Sequence, residues 1–338
     1  MHRHIVIGPP GTGKTTFLKN KVDQIIKEGK ASPNEIGYFS FTVKAAEEIR
    51  NRVTNEEWSE AELKKMFPYF CTLHSLAYKR LRLEAHEIMD ELDYMELCDM
   101  TGRKFVNKMK KGNGIDISMP TAQSHYQDVI NLAYAKYPND DDRLQKVFRE
   151  VKLPDYGARN TIMQMDKDLT NFKRDRHKLE YVDYFNSFLE MKNPPPLKYL
   201  FIDEAQDLSA HQWMVVDMIQ QISKPIETYV AGDDDQAIFR WAGADIEHFI
   251  AMAKNDANTI IPLKQSYRIP ISVHNLATKM AQSISNRIDK SYMPRDEHGE
   301  RKVLNFRPLN KELETGDWLI LCRTHEIVKQ VCESLDRY

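Results

Sequence analysis

The order of apolar and polar residues over the first eighty positions alternates between two periods. Residues 5–7 and 36–42 are rich in β-branched and aromatic side chains, which indicates buried strands. Residues 44–53 instead place their apolar side chains at helical spacing. Residues 70–75 form another short strand or loop that leads into a helix over 76–83. This alternation of strand and helix predicts an α/β fold with a parallel sheet.

The pattern changes in the middle of the chain and then returns. Helical spacing dominates residues 80–191, and a stiff Asn-Pro-Pro-Pro tract follows at 193–196. Short apolar runs suited to buried parallel strands then recur, at 199–203, 228–232, 259–263 and 318–322. We therefore predict a first α/β domain over 1–79 and 192–258, a helical inserted subdomain over 80–191, and an incomplete second domain over 259–338. The second domain is called incomplete because a sheet of one or two strands is marginal.

Composition narrows the class of protein only slightly. A chain of 338 residues is long enough for two or three domains. Its formal net charge of −2 gives no global sign of nucleic-acid binding, although a local groove needs no global charge. The four cysteines lack the spacing of a zinc site, which favours free thiols in a reducing compartment. Without a signal peptide or a membrane-length apolar run, we expect a soluble cytoplasmic protein.

The strongest chemical signal is the octapeptide Gly-Pro-Pro-Gly-Thr-Gly-Lys-Thr that follows the first apolar run. It matches the phosphate-binding pattern G-x-x-x-x-G-K-[ST] and opens a helix, whose N-terminus favours an anion. Lys14 is expected to reach the β- and γ-phosphates of a nucleotide, and the Thr15 hydroxyl to bind Mg²⁺. The predicted nucleotide-binding residues of this loop are Gly8, Gly11, Thr12, Gly13, Lys14, Thr15 and Thr16. An incidental glycine-rich turn is the competing interpretation.

A second signal is the acidic sequence Asp-Glu-Ala-Gln-Asp at 203–207, directly after an apolar run. Ligands of open α/β sheets bind at the carboxyl ends of strands, so Asp203 and Glu204 are expected beside the phosphate loop. Asp203 would hold Mg²⁺, and Glu204 would act as general base toward the attacking water. An acidic turn alone is weak, but with the loop upstream it indicates hydrolysis of a nucleoside triphosphate.

A third signal is the stretch 232–245, in which three aspartates and Gln236 precede Arg240 and Trp241. The amide of Gln236 is suited to contact a γ-phosphate or its attacking water. Trp241 offers a ring on which a nucleobase could stack, although a lone tryptophan more often packs in a core. The neighbouring arginine and glycines favour the stacking role.

Taken in order, these motifs resemble those of the UvrD/PcrA/Rep group of superfamily 1 DNA helicases. Three further segments add to the resemblance: Ser-Phe-Thr-Val-Lys-Ala-Ala at 40–46, Cys-Thr-Leu-His-Ser at 71–75 and Gln-Ser-Tyr-Arg at 265–268. The resemblance spans nearly the whole chain except the helical middle. It implies a RecA-like P-loop fold, the start of a second RecA-like domain, and ATP with Mg²⁺ as cofactors.

The resemblance also implies roles for individual residues. Phe41, Thr42, Thr72, His74 and Trp241 would contact single-stranded DNA, with Phe41 and Trp241 stacking on bases. Gln236 would sense the γ-phosphate, Tyr267 would stack on adenine, and Arg268 would act as an arginine finger from the second domain. The catalytic set is then Lys14, Asp203, Glu204, Gln236 and Arg268. The implied activity is an ATP-dependent helicase or translocase on single-stranded or tailed duplex DNA, with 3′→5′ polarity.

The chain departs from the family pattern in three respects. It has no glutamine segment ahead of the phosphate loop, which leaves its selectivity for adenine open. Val43 and Ala242 stand where the family has Asn and Arg. Nothing after Thr324 resembles the later family motifs, so we expect either a fragment or a chain that binds ATP and DNA but hydrolyses poorly. The alternatives are an ATP-binding, DNA-binding regulatory subunit, or a truncated remnant without unwinding activity.

Overall fold

The structure is a computed structural model of the chain, and it describes residues 2–40, 43–53, 59–106, 122–153, 156–302 and 318–335. Within them lies one six-stranded sheet in which all pairings are parallel. Its strands are β1 (His2–Ile7), β2 (Ile36–Phe39), β3 (Phe70–Cys71), β4 (Tyr199–Ile202), β5 (Glu227–Gly232) and β6 (Thr259–Pro262). They lie in the order β3-β2-β4-β5-β1-β6. The prediction of an α/β fold with a parallel sheet is confirmed.

Helices connect and cover these strands. They are α1 (Lys14–Lys27), α2 (Val43–Val53), α3 (Glu60–Met66), α4 (Leu73–Leu81), α5 (Glu91–Thr101), α6 (Ala122–Lys136), α7 (Arg143–Glu150), α8 (Tyr156–Arg176), α9 (Tyr181–Met191), α10 (Ala210–Ser223), α11 (Ile246–Ala253), α12 (Ile271–Ala281) and α13 (His325–Leu335). Several begin where a side chain accepts a hydrogen bond from the first turn: Ser59 caps α3, Asp90 caps α5, and Ser209 caps α10. The helix predicted over 44–53 is confirmed as α2.

Two apolar cores lie on the two faces of the sheet because successive strand residues point in opposite directions. In β4, Leu200 and Ile202 join the core formed with α4, α9, α10 and α11. Tyr199 and Phe201 join the opposite core, which α1, α2 and α3 cover. This double cover leaves the carboxyl ends of the strands as the open edge of the sheet.

In the predicted helical middle, the described residues form α5 to α8, with an apolar core of their own that runs from Met89 to Phe172. The two segments that connect this core with the sheet meet in a parallel bridge of Ile88 with Leu179, where Met89 N–H donates to Leu179 O at 3.0 Å. Helix α9 differs from the expectation, since its residues Tyr184, Phe185 and Phe188 pack in the core of the sheet.

Two of the later apolar runs behave differently from their prediction. Residues 259–262 form a strand, but β6 pairs with β1 and extends the first sheet instead of starting a second one. The run 318–322 is wrong as a strand, since it is irregular and exposed, with Leu319 and Leu321 each 84% accessible. Within the described part of the chain no strand lies beside it, so its backbone has no ladder to join. The amphipathic stretch after it is helical, as α13.

The described helices include none with the length and apolar character that crossing a membrane requires.

Candidate functional site

The phosphate loop leaves the sheet at the carboxyl end of β1. Gly8 N–H donates to the Gly232 carbonyl of β5 at 3.1 Å, which fixes the start of the loop. Gly11 and Gly13 have φ of 71° and 81°, a left-handed conformation that glycine adopts without strain. A Cβ on Gly8 would lie 2.1 Å from Lys14 Cγ, so the loop wraps closely around the lysine stem. This backbone geometry is that of an anion cradle at the N-terminus of α1.

Lys14, Thr15 and Asp203 meet at the mouth of this loop. Lys14 Nζ donates to Gly8 O at 3.0 Å, and its side chain is largely buried. Thr15 Oγ1 donates to Asp203 Oδ2 at 2.9 Å, across 188 positions of sequence. A hydroxyl and a carboxylate at this distance form a donor set that suits Mg²⁺. The structure therefore brings together the two residues expected to hold the metal.

A residue that the sequence did not indicate also holds Asp203. Tyr38, on β2, donates its hydroxyl to Asp203 Oδ2 at 2.8 Å and is fully buried. Burial, with the neighbouring charge of Glu204, raises the pKa of Asp203, while the hydrogen bonds from Tyr38 and Thr15 act in the opposite direction. Tyr38 thus fixes the carboxylate and favours its ionised form.

Glu204 has an unusual backbone that turns it toward the loop. Its φ is 52°, in the left-handed region, and its carboxylate lies 3.7 Å from Lys14 Nζ. Gln206 Nε2 donates to Glu204 Oε2 at 2.9 Å. A non-glycine residue with this backbone is uncommon and is often associated with function. The half-exposed carboxylate can accept a proton from water beside the loop.

The amide oxygen of Gln206 links this site to the end of β5. Gln206 Oε1 accepts from the backbone N–H of Asp233 at 3.0 Å. Asp233 Oδ2 in turn accepts from Gln236 Nε2 at 2.5 Å. The predicted phosphate sensor Gln236 is therefore in the same hydrogen-bonded group as the predicted base, and its amide is held by a buried aspartate.

The segment 265–268 lies directly on the phosphate loop. Ser266 Oγ donates to Pro10 O at 2.7 Å, and the Tyr267 backbone N–H donates to Gly11 O at 2.9 Å. A Cβ on Gly11 would lie 2.3 Å from Arg268 Cβ, so only glycine allows this approach. Tyr267 is 76% exposed, and Arg268 is also exposed. Both side chains are free to meet a ligand on the loop.

The remaining loop residues have ordinary supporting positions. Thr12 is buried, and its hydroxyl donates to Pro9 O at 2.7 Å, which stiffens the loop. Thr16 is exposed on the first turn of α1. Thr16 therefore stands at the helix end where an anion would bind, whereas Thr12 shapes the backbone.

Trp241 and His74, both expected to contact DNA, line one cavity of about 380 Å³. Trp241 lies on a short 3₁₀ turn and is 57% exposed, which is against the core-packing interpretation. His74 stacks on Phe185 at 4.3 Å between ring centroids and meets Tyr181 edge-on at 4.7 Å. Burial, with the nearby His211, lowers the pKa of His74 to about 4, so its ring is neutral at pH 7. The cavity thus offers aromatic faces, and its lining holds the carboxyl side chains of Asp128, Glu180 and Asp207 rather than lysine or arginine.

Thr72, another predicted DNA contact, is not among the residues that line this cavity. The Thr72 hydroxyl is used as the cap of α4, where it accepts from Ser75 N–H at 3.1 Å. Phe41 and Thr42 lie outside the described residues. The sequence also missed Tyr181 and Phe185, which begin α9 and line the cavity with His74. An aromatic pair at a helix start has the same pattern as core packing, so no sequence signal separates the two.

Comparisons with known proteins agree with this geometry. A family model described as "UvrD/REP helicase N-terminal domain" matches residues 2–257. The "ATP-dependent DNA helicase PcrA" of Staphylococcus aureus is 28% identical over 312 residues, which cover 88% of this chain and 40% of that protein. The protein of the same name from Staphylococcus epidermidis is 27% identical with the same coverage. The chain therefore spans about 40% of the length of the curated relatives it matches.

Proposed function

Because the chain belongs to the UvrD/REP helicase N-terminal domain family, we propose that it is the motor part of an ATP-driven DNA helicase or translocase. The proposed substrate is single-stranded or tailed duplex DNA, and the proposed direction is 3′→5′. The helicase activity named for the similar Staphylococcus proteins supports this proposal.

The phosphate end of ATP binds the loop over 8–16 in this proposal. Backbone N–H groups of the glycine-rich loop and the α1 terminus receive phosphate oxygens, and Lys14 provides a cation beside them. Thr15 and Asp203, 2.9 Å apart, would hold Mg²⁺. When bound, this ion neutralises charge on the β- and γ-oxygens. The close wrapping of Gly8 around Lys14 supports a loop built to approach an anion.

Glu204 is the proposed general base. Its carboxylate is 3.7 Å from Lys14 Nζ and is oriented by the Gln206 amide at 2.9 Å. It is exposed enough to reach water and can take a proton as the water attacks the γ-phosphate. Gln236 would contact the γ-phosphate or that water.

Arg268 and Tyr267 reach the nucleotide from the segment after β6. Hydrogen bonds from Ser266 and Tyr267 to the loop carbonyls hold this segment against Gly11. The Arg268 guanidinium is suited to neutralise charge on the transferred phosphoryl group, and the Tyr267 ring to stack on adenine. Closure of this segment on ATP, and its release after hydrolysis, is the proposed source of movement.

The single strand is proposed to pass along the aromatic cavity. Trp241 and His74 line it, and base stacking on such rings requires no particular sequence. Phe41, Thr42 and Thr72 are proposed as further contacts from the sequence resemblance, and Thr72 would make its contact outside the cavity. The main observation behind the proposal is the loop after β5, in which Gln236 joins the catalytic group and Trp241, five positions later, lines the cavity. One short segment would therefore contact both ATP and the DNA strand.

Strand displacement on labelled duplexes with a 3′ tail, a 5′ tail or blunt ends tests the proposed function. We expect ATP-dependent displacement from the 3′-tailed duplex, and none with Lys14→Ala. Preference for the 5′ tail would contradict the polarity. Binding of oligonucleotide and ATP with neither displacement nor movement along a single strand would favour the regulatory subunit.

A further inference from the structure

Two cations from outside the recognised motifs lie on the three aspartates that follow β5. Lys290 Nζ is 2.7 Å from Asp233 Oδ1 and 3.1 Å from Asp235 Oδ2, and it also pairs with Asp234. Arg287 binds Asp235 with two hydrogen bonds, at 3.0 and 2.7 Å. The Lys290 side chain is only 5% exposed. A segment more than fifty positions later in the chain therefore neutralises this acidic turn.

The two cations differ in what they contact. Of the three aspartates, Arg287 forms an ion pair with Asp235 alone, whereas Lys290 is shared among all three carboxylates. Asp233 is fully buried, and a buried carboxylate without a partner is strongly unfavourable. The contact between Lys290 and Asp233 therefore fixes where that carboxylate can lie.

Asp233 is also the residue on which both polar groups of the proposed catalytic site depend. Its side chain holds the Gln236 amide at 2.5 Å, and its backbone N–H holds Gln206 at 3.0 Å. Gln206 then orients Glu204 at 2.9 Å. A continuous chain of contacts leads from Lys290 to the proposed phosphate sensor and to the proposed base.

We propose that Lys290 is a positioning residue that holds Asp233, and through it Gln236 and Glu204, in the arrangement that ATP hydrolysis requires. The inference rests on the proposed function. In this proposal the chain after β6 contacts the phosphate end of the site in two ways. Arg268 lies on the phosphate loop, and Lys290 forms ion pairs with the aspartates that follow β5. Loss of Lys290 is expected to weaken contacts made to the γ-phosphate and to leave those made to a diphosphate.

Arg287 provides a matched control. Lys290→Met and Arg287→Met each remove one cation from the same cluster, but only the first removes the cation that pairs with Asp233. For each variant, fluorescence titrations with mant-labelled ADP and mant-labelled AMP-PNP give the preference for the triphosphate analogue. Turnover at saturating ATP with an oligonucleotide gives kcat, and thermal unfolding reports whether each variant folds.

For Lys290→Met we expect the preference for AMP-PNP over ADP, and kcat, to fall by about tenfold, with ADP affinity unchanged. Arg287→Met should keep both values within about twofold of wild type. Equal losses in the two variants would show a general charge effect, and no loss in either would show no positioning role. Each of these results would overturn the inference.

A second variant keeps the test decisive if Lys290→Met does not fold. Lys290→Met combined with Asp234→Asn returns the formal charge of the cluster to its original value but still leaves Asp233 without its paired cation. We expect it to fold and to keep the reduced preference for AMP-PNP. Wild-type preference in this variant would overturn the inference. A wild-type chain that binds both nucleotides without DNA-stimulated turnover would contradict the proposed function instead, while the ratio of affinities still tests Lys290.

Discussion

The backbone N–H of Tyr267 donates a hydrogen bond to the Gly11 carbonyl at 2.9 Å. This bond joins a segment after the last strand of the sheet to the loop after the first one. It places Arg268 so close to Gly11 that a Cβ on the glycine would lie 2.3 Å from the arginine Cβ. The segment with the proposed arginine finger is thus seated on the loop that would hold the phosphates.

Ser266 holds the segment 265–268 against the phosphate loop, and the first prediction concerns its replacement by alanine. Its buried hydroxyl donates to Pro10 O at 2.7 Å and accepts from Ile269 N–H at 3.1 Å. We expect Ser266→Ala to lower kcat for ATP hydrolysis about tenfold because Arg268 is then less well placed. Ser283→Ala is the control, because it removes an exposed hydroxyl that donates to Met280 O after α12. Unchanged kcat in a folded Ser266→Ala chain would show that Ser266 does not position Arg268.

Trp241→Ala tests the strand-binding cavity. Removing a stacking ring should weaken binding of a fluorescein-labelled oligonucleotide by about 1–3 kcal/mol, measured by anisotropy, without lowering the ATPase rate in the absence of DNA. Trp318, which is similarly exposed, gives the control Trp318→Ala. If Trp241→Ala lowers the free energy of unfolding but keeps its oligonucleotide affinity, Trp241 has a packing role and does not bind DNA.

Tyr38→Phe tests the support of the proposed metal ligand. The variant keeps the ring in its buried position and removes the hydroxyl that donates to Asp203 at 2.8 Å. We expect the Mg²⁺ concentration that gives half-maximal ATPase to rise about tenfold, as for other residues that orient a metal ligand. Tyr229→Phe is the matched control, since its hydroxyl binds Glu227 at the other end of the sheet. An identical Mg²⁺ dependence in both variants would contradict the role of Tyr38.

His211 predicts a pH dependence of stability. It is buried, and burial lowers its pKa from 6.5 to about 4. The unfolded chain therefore takes up this proton at a higher pH than the folded one, so the free energy of unfolding falls as pH drops from about 6.5 to about 4. Urea unfolding of wild type and His211→Phe at several pH values measures the effect. The variant should lose less stability than wild type over that range, and parallel curves would show that His211 does not contribute.

Much of the nucleotide site could be predicted because its parts follow from local rules. Parallel strands end at one edge of the sheet, so polar residues after β1, β4 and β5 had to meet there. The contact of Thr15 with Asp203 is the direct result. These predictions needed only strand direction and the motif that follows each strand.

The supporting residues could not be predicted, because their partners are set by tertiary packing. Tyr38 is 165 positions from Asp203, and Lys290 is 56 positions from Asp234. An apolar run likewise does not state which strand lies beside it, so residues 259–262 were expected in a second sheet but pair with β1. The run 318–322 has strand composition without a neighbouring strand in the described part of the chain.

The most direct test of the account is the rate of ATP hydrolysis by the purified chain with and without a single-stranded oligonucleotide. If one loop couples the phosphate site to the strand cavity, the oligonucleotide should raise kcat by about tenfold or more, and Lys14→Ala should abolish turnover while it still binds the strand. A wild-type rate that does not respond to saturating oligonucleotide, or a Lys14→Ala rate equal to that of wild type, would contradict it.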